Sequence, residues 1–515
     1  MPTDSAALPE QFVLCRDPAH VPAGWPTEVI SDWCLGHHPS LPVVRIVDQL
    51  GRPAGWLIGH AIDDDGVLLK GGETVTAPVA STHELETWIY LHAGRFAAIV
   101  LTQSFERFYL DVAGSLSMVY SEVLTCVAST TSVLPRSAET EDLVEDMQLV
   151  GIPGVGMYPL HLTQRRNVLR LLPNHVLDLR TWGVQRHWPA PPALPVRNTA
   201  EVVSTVVDRT RLVIGALAER WPVLQRLTAG RDSRMLLACA RPFTDRITFF
   251  TAEHLRSDET SWVDCVTASR MARDLHLRYL RLARRPAVPA DLDEWQFRTG
   301  WSVGEEKGRQ ACTTFKSLPP GHVDLVAMCG ELGRAEHWPE QLPDFWSPRP
   351  GTTEFARDQL LEFIMALYFP PNVARHPRSE ATVAEWLETT QSYDLYTAHD
   401  LFYIEQRLGT WGGVFPYAYA IEGRFQLFPF ADRRIFEAMM SLPTDTRLRD
   451  EMTQMLIERE WPELLAYPFN QPQGLQRLKA IRFRALRFSA RAHRAARHPL
   501  RSTRRIVARI RRRIT

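Results

Sequence analysis

The sequence predicts an α/β protein with two main domains, the first built on antiparallel strands and the second on a parallel sheet. Its 515 residues are too many for one ordinary hydrophobic core. Residues 40–190 contain short apolar runs with turn residues between them, whereas strands and helices alternate from about residue 198. The proline-rich stretch 189–195 cannot continue a helix or a central strand, so we expect a linker there.

The first region, residues 1–193, is expected to form a half-buried antiparallel system. Its predicted strands are Val43–Val47, Gly55–Gly59, Phe96–Leu101, Phe108–Val112 and Val168–Leu172.

The second region, residues 197–470, reads as the start of a parallel α/β sheet followed by helices. It begins with the helix Ala200–Arg220, the short strand Pro222–Leu227, the helix Arg234–Ala240, the strand Ile247–Phe250 and a helix with apolar residues from Val263 to Leu275. The later pattern predicts helices at Phe355–Phe369, Ser392–Leu408, Arg433–Met440 and Asp450–Arg459.

Composition is typical of a globular protein, with 45% hydrophobic and 23% charged residues. The seven cysteines are scattered without a C-x-x-C pair, which argues against a disulfide framework or a zinc site and favours a reducing compartment. The first residues lack a signal-peptide pattern, and no apolar run reaches the ~20 residues of a membrane span. We therefore predict a cytoplasmic protein.

A basic tail, residues 471–515, offsets an acidic body. No acidic residue follows Glu463, whereas fifteen Arg and Lys lie between Arg477 and Arg513. The remaining chain has 44 basic and 59 acidic residues. The tail is predicted to be helical, and residues 475–515 are a candidate surface for an acidic peptide, a nucleic acid, an anionic membrane or the acidic body itself, although a solvated basic helix explains them equally well.

The segment Thr228–Ser233 is the candidate phosphate-binding loop. It lies between a predicted strand and a predicted helix, and small residues at Ala229 and Gly230 let the backbone approach a ligand closely. The helix that follows offers N–H groups and the positive end of its dipole, and Thr228 and Ser233 add hydroxyl donors. Asp232 is alternatively a helix cap.

This loop resembles the S-G-G-x-D-S signature of the N-type ATP pyrophosphatases, where it holds the pyrophosphate of ATP. Other segments resemble the asparagine-synthase branch of that family in the same order. They are Gly94–Ala97, Asp111–Gly114, Met118–Tyr120, Ala128-Ser129, Leu172–His175, Arg186–Trp188, Cys329–Glu331, Glu422–Arg434 and Ser441–Pro443. The resemblance implies an N-terminal antiparallel αββα glutaminase-like (Ntn) domain, followed by a parallel-sheet synthetase domain of the adenine-nucleotide α-hydrolase type.

The resemblance also assigns site residues. ATP would be bound by Thr228, Ala229, Gly230, Arg231, Asp232, Ser233 and Gly330. Asp232 and Glu331 would hold Mg²⁺ carried by ATP. Glu331, Glu422 and Arg424 are the catalytic candidates, with Glu422 as base or orienter for an attacking amine. A structural ion pair between Glu422 and Arg424 is the alternative.

Two departures from the family narrow the expected activity. Asparagine synthetases free ammonia from glutamine with an N-terminal cysteine, whereas residue 2 here is Pro and Cys15 is internal. We therefore expect the first domain to be inactive as a glutaminase, with Cys15 as a small buried residue.

The acidic segment that begins at Cys329–Glu331 also departs from the family pattern, because Arg334 stands where the family has an acidic residue. It could bind a phosphate or a substrate carboxylate, or pair with Glu336. The family's lysine after Leu442-Pro443 has no counterpart, and Arg447 and Arg449 are the nearest cations.

Such losses are similar to those of β-lactam synthetases and lasso-peptide macrolactam synthetases, in which an amine within the substrate attacks the adenylated carboxylate. We therefore predict an AMP-forming amide ligase that uses ATP and Mg²⁺ on a small-molecule or peptide carboxylate. The alternatives are a catalytically inactive relative that acts as a binding protein, and an RNA-acting enzyme that uses the basic tail.

Overall fold

The computed structural model describes residues 8–143, 157–190, 194–253, 259–336 and 376–470, and residues 360–374 in part. The basic tail and most of the predicted helix Phe355–Phe369 lie outside the described residues. No helix within these ranges is long and apolar enough to cross a membrane.

The first half of the chain is mainly β-structure. Its strands are β1 (Phe12–Cys15), β2 (Thr27–Ile30), β3 (Trp33–His37), β4 (Val43–Val47), β5 (Pro53–Ile62), β6 (Thr74–Thr76), β7 (Ala93–Leu101), β8 (Glu106–Leu110), β9 (Val119–Ser121), β10 (Cys126–Ala128), β11 (Leu169–Arg170), β12 (His175–Asp178) and β13 (Val184–Arg186), with the helix α1 (Thr82–Tyr90) between β6 and β7.

These strands form two stacked sheets. One has the order β11-β9-β10-β1-β3-β2 and the other β13-β12-β8-β7-β5-β4-β6. All pairings are antiparallel except that of β4 with β6. Alternate residues of each strand point between the sheets, so Phe12, Trp33, Trp56 and Phe108 share one core.

The predicted αββα layering is found only in part. The two sheets are present, and α1 packs on the outer face of the second sheet through Leu85 and Ile89. Within residues 8–143 and 157–190, α1 is the one α-helix, and the outer face of the first sheet packs against loop residues that include Trp25 and Leu134.

The second half alternates helices with parallel strands before it becomes helical. Its strands are β14 (Val223–Arg226), β15 (Ile247–Ala252), β16 (Tyr279–Leu282), β17 (Val323–Leu325) and β18 (Phe425–Leu427). Its described helices are α2 (Thr199–Ala218), α3 (Arg231–Cys239), α4 (Glu259–Asp274), α5 (Pro289–Arg298), α6 (Glu305–Phe315), α7 (Pro371–Ala374), α8 (Pro377–Glu388), α9 (Leu395–Phe402), α10 (Gly413–Tyr419), α11 (Arg433–Met440), α12 (Thr444–Leu448) and α13 (Glu451–Glu460), with a π-helix over Tyr403–Gly412.

The five strands of this half form one parallel sheet with the order β16-β15-β14-β17-β18. Its two faces carry separate apolar clusters. Val223 of β14 packs with residues of α2, α3 and α11, whereas Leu224 packs with residues of α5, α6 and α10. The sheet is therefore covered by helices on both sides, as the parallel pattern predicts.

Buried polar contacts join the two halves. Asp432, between β18 and α11, forms a β-bridge with Ala93 of β7, and its carboxylate accepts a bond of 2.7 Å from Arg209 of α2. Arg186 of β13 forms an ion pair with the buried Glu405 of the π-helix. These contacts fix the antiparallel sheets against the helical side of the second half.

Candidate active site

The strand order creates a crevice at one edge of the parallel sheet. From β14 the chain passes to β15 and β16 on one side, whereas β17 and β18 lie on the other. In open parallel sheets, ligands bind outside the carboxyl ends of the strands at the point where the order reverses. Here that point lies between β14 and β17, so the segments that follow these two strands border the crevice.

The predicted phosphate loop follows β14 and leads directly into α3. The Thr228 hydroxyl accepts a bond of 3.0 Å from the Gly230 amide and lies 2.7 Å from the Ser233 hydroxyl. The Ala229 carbonyl accepts bonds from the Arg234 guanidinium (2.9 Å) and the Asn470 amide (3.0 Å). The loop is therefore held in one conformation at the N-terminus of α3, where the first-turn amides lack helical acceptors.

The acidic segment follows β17 and packs against the same helix. Cys329 has a positive φ of 78°, and a 3₁₀ turn over Gly330–Gly333 follows it. A Cβ atom on Gly330 would lie 2.6 Å from Cε of Met235 and 3.2 Å from Oδ1 of Asp232. The small glycine at position 330 therefore lets this segment pack closely against α3, and a larger residue would displace the end of the Met235 side chain.

Asp232 does not cap α3. The N-cap is Gly230, and the two carboxylate oxygens of Asp232 accept bonds of 2.7 and 3.2 Å from the Arg334 guanidinium. Arg334 also forms an ion pair with Glu336. The capping alternative is thus wrong, and the predicted pair with Glu336 is present together with a second partner that the sequence does not indicate.

Glu331 lies between Asp232 and the π-helix. The Tyr403 hydroxyl donates a bond of 2.9 Å to its carboxylate. Burial, together with the negative charge of Asp232, raises the pKa of Glu331 to about 7. A carboxyl group with this pKa can accept or release a proton near neutral pH, which is what a general acid or base requires.

The structure places Glu422 and Arg424 away from this crevice. Both precede β18 and so lie at the amino edge of the sheet, where the Gly321 amide donates to the Glu422 carbonyl. The Glu422 carboxylate is half-exposed and lies 3.8 Å from Arg424, as the ion-pair alternative predicts. They line a cavity of about 410 Å³ that also includes Glu10 and His60 of the first half. The structure does not bring these two candidates together with Glu331 and the loop.

The two cations nearest the missing family lysine have other partners. Arg447 is buried and forms two bonds of 2.7 Å with Asp400, while the exposed Arg449 pairs with Glu451. Arg231, the remaining loop residue, forms an ion pair of 2.6 Å with Asp450. These three side chains act as structural contacts around the crevice.

Cys15 lies at the end of a buried strand. It is fully buried on the outer face of the first sheet, and its thiol donates to the Asp17 carbonyl at 3.2 Å. Its neighbours across the sheet are Cys126 and Cys34. The environment of Cys15 is that of a small core residue.

Two site residues have no signal in the sequence. Asp264 of α4 accepts a bond of 2.8 Å from the Ala229 amide, and Tyr403 bonds Glu331 from a segment 72 positions away. Neither belongs to a short motif, so only the fold reveals them.

Comparisons with known proteins add little to this geometry. No family model matches the chain, and no curated protein matches it. Among solved structures, it matches the glutamine-dependent NAD+ synthetase of Acinetobacter baumannii in complex with ADP, at 13% identity and a TM-score of 0.17. The match covers 48% of this chain and 51% of that one, so the chain spans about half the length of the solved relative. This similarity assigns no residue role.

Proposed function

We propose that the protein is an ATP-dependent, AMP-forming amide-bond ligase that adenylates a substrate carboxylate. One observation carries the proposal: the loop Thr228–Ser233 and the acidic segment Cys329–Glu331 border the same crevice at the order reversal of a parallel sheet. Phosphate groups favour a helix N-terminus with hydroxyl donors beside it, and a nearby carboxyl group of raised pKa suits proton transfer.

In the first step, a carboxylate oxygen of the substrate attacks the α-phosphorus of ATP. A bond forms between these atoms while the bond from the α-phosphorus to the bridging oxygen breaks, and pyrophosphate leaves. The hydroxyl groups of Thr228 and Ser233 and the first turn of α3 bind the pyrophosphate, which stabilises the charge that develops on it. Glu331, and Asp232 where Arg334 releases it, would hold Mg²⁺ that accompanies ATP, since this ion is usually bound by one or two carboxylates plus phosphates.

In the second step, an amine attacks the acyl carbon and AMP leaves. The amine must lose a proton as the amide bond forms, and Glu331 is the group in the crevice whose pKa suits its acceptance. This role replaces the one that the sequence assigns to Glu422. An amine that belongs to the same substrate would give a macrolactam or a β-lactam, whereas a separate amine or ammonia would give an open amide.

A second candidate is a nucleotide-binding protein without catalysis. It is favoured by the Arg334 guanidinium, which binds both oxygens of Asp232 and so competes with a metal ion for them. ATP binding without adenylation would identify this function.

Exchange of labelled pyrophosphate into ATP distinguishes the two candidates, because it requires reversible adenylation. We expect exchange that depends on Mg²⁺ and on a carboxylate, tested with aspartate, aliphatic and aromatic acids and acidic peptides. Binding of a non-hydrolysable ATP analogue without exchange with any acid would support the second candidate.

A further inference from the structure

Three cations beside the crevice form no salt bridge within the described residues, although Arg226 partly lowers the pKa of the buried Asp324 and Arg407 that of Glu331. Arg226, Lys307 and Arg407, named here the cation cluster, are half-buried, and none forms an ion pair within the described part of the chain. Other buried cations have a carboxylate or a hydrogen-bond partner: Arg95 pairs with Glu10, Arg447 pairs with Asp400, and Arg234 donates to backbone carbonyls. Buried charges are normally paired or hydrogen-bonded, so three neighbouring cations without a salt bridge call for an explanation.

The three residues come from different elements and converge at the carboxyl edge of the sheet. Arg226 is the last residue of β14, two positions before Thr228. Lys307 lies in the first turn of α6, and Arg407 lies in the π-helix one turn from Tyr403. The rings that the three cations face are contiguous: the Phe415 ring beside Lys307 lies 5.0 Å from the Trp411 ring beside Arg407. It also lies 4.8 Å from Tyr419, which in turn lies 4.8 Å from the Phe315 ring beside Arg226. Burial, with the charges of Arg226 and Arg407, lowers the pKa of Lys307 to about 8.

The cluster borders the crevice from the side opposite α3. Arg226 points to the same face of the sheet as Leu224, which packs with α5, α6 and α10, whereas α3 covers the other face. The Arg407 charge also lowers the pKa of Glu331 in part, so the cation cluster acts electrostatically on the carboxyl group of the crevice.

Aromatic rings surround the cluster. Arg226 lies 5.0 Å from the ring of Phe315, Arg407 4.9 Å from Trp411, and Lys307 5.9 Å from Phe415. Such contacts stabilise a cation. Opposing this, like charges that lie close together in a partly buried site repel each other more strongly than they do in water. A bound anion would offset this repulsion and complete the site.

We propose that the cation cluster binds the substrate carboxylate that is to be activated, and that the aromatic rings contact an apolar part of the same substrate. This proposal rests on the proposed function, because the cation cluster would hold the carboxylic acid that reacts with ATP. Guanidinium groups bind carboxylates through two parallel bonds, and Lys307 adds a point charge. The phosphate loop lies on the α3 side, which leaves the aromatic side for an organic acid. Nothing in the sequence motifs marks these three residues.

The chain contains only four lysines, Lys70, Lys307, Lys316 and Lys479, which makes a direct test feasible. The intact protein is acylated at pH 8 with N-hydroxysuccinimidyl acetate, and the rate at each lysine is measured by peptide mass spectrometry. The pKa of Lys316 is raised by its contact with Asp291 although burial lowers it, so Lys316 serves as a slow internal reference. We expect Lys307 to be acylated faster than Lys316.

The probe is 3-phenylpropanoate, and its neutral amide, 3-phenylpropanamide, is the control. The carboxylate should slow acylation of Lys307 at least threefold without a change at Lys70, and the amide should have no effect. Saturating MgATP should leave the protection by the carboxylate intact. The proposal would be overturned by equal protection from the amide or by no protection at all. Complete protection by MgATP alone would also overturn it, because the cluster would then be a polyphosphate site.

Arg226→Gln and Arg407→Gln provide a second readout in folded protein, as judged by circular dichroism. Each removes a like charge and should raise the apparent pKa of Lys307, so acylation at pH 8 slows and protection by 3-phenylpropanoate is lost. An unchanged pKa would contradict the cluster. Protection of Lys307 in a protein that lacks pyrophosphate exchange with every acid would overturn the proposed function alone, and exchange without protection would overturn the carboxylate site alone.

Discussion

Buried charges are treated differently in the two halves of the molecule. In the antiparallel half they are closed into networks. Asp111 accepts bonds from three backbone amides and the Ser115 hydroxyl, and the Arg165 guanidinium donates to four carbonyls and the Thr140 hydroxyl. In the parallel half, at the carboxyl edge of the sheet, the Glu331 carboxylate accepts a side-chain bond from Tyr403, whereas the Lys307 side chain has neither a hydrogen bond nor a salt bridge within the described residues.

This difference is consistent with the proposed function, in which the first half is structural and the second half carries the reaction. Charged groups whose hydrogen bonds are all made within the protein stabilise the fold. Charged groups that lack such partners can bind a ligand or exchange a proton during a reaction. Substitutions in the first half should therefore change stability without changing chemistry, and substitutions at the carboxyl edge should do the reverse.

The largest expected effect is on stability, from Glu10→Ala. Glu10 is buried and accepts bonds of 2.9 Å from His60 and 3.0 Å from Arg95. Its removal leaves two buried groups without their acceptor, which should cost about 3–5 kcal/mol. Hydrogen exchange of the β5 and β7 amides measures this loss. Glu422→Ala, at a half-exposed carboxylate, is the matched control and should change the free energy by less than about 0.5 kcal/mol.

The next effect is on catalysis, from Glu331→Gln. We expect amide formation to fall about 100-fold or more, because the glutamine amide cannot accept the amine proton. Pyrophosphate exchange should fall less, through the loss of one proposed Mg²⁺ ligand. Single-turnover assays that follow AMP release separate the two steps. Equal loss in both steps would assign Glu331 to ATP binding instead of proton transfer.

The effect of Glu331→Gln on the melting temperature should depend on pH. The folded-state pKa of Glu331, about 7, lies above the unfolded value, so the folded chain holds this proton more tightly. The contribution of this group to stability is therefore present at low pH and is lost as pH rises from about 4.5 to about 7. Glu331→Gln should raise the melting temperature by a few degrees, about 2–5 °C, at pH 8 and by less at pH 5. Equal shifts at both pH values would contradict the raised pKa.

The smallest effect is expected from Cys15→Ala. The thiol is buried in the first sheet, so its loss should cost about 1 kcal/mol through reduced packing. Pyrophosphate exchange and any use of glutamine as a nitrogen source should not change. A loss of glutamine-dependent activity in a folded variant would show that the first half is a working glutaminase.

The sequence predicts the strongly periodic parts of the fold. Val43–Val47 and Arg433–Met440 form with the predicted bounds, and α2 begins and ends within two residues of the predicted helix. The three-residue strands β17 and β18 are missed because runs of that length show no periodicity. The helix predicted at Ser392–Leu408 is observed as α9 followed by the π-helix, and π-helical segments have no distinct sequence pattern.

The candidate site could be predicted only where its residues are adjacent in the chain. The loop Thr228–Ser233 is such a run, and the sheet places it at the order reversal. Glu422 and Arg424 were assigned by motif, but they lie at the amino edge of the sheet, whereas the loop lies at the carboxyl edge. Because β18 is only three residues long, a motif that spans it does not show at which end of the strand a given side chain lies. Tyr403 and the cation cluster depend on contacts between distant elements, which no single-sequence pattern encodes.

Pyrophosphate exchange tests the central claim most directly, with Asp232→Ala as the site variant and Asp65→Asn, at an exposed turn, as the control. The account predicts carboxylate-dependent exchange in the wild-type protein and in Asp65→Asn, and a loss of at least about 100-fold in Asp232→Ala. Exchange at the wild-type rate in folded Asp232→Ala would contradict the assignment of the loop and the crevice.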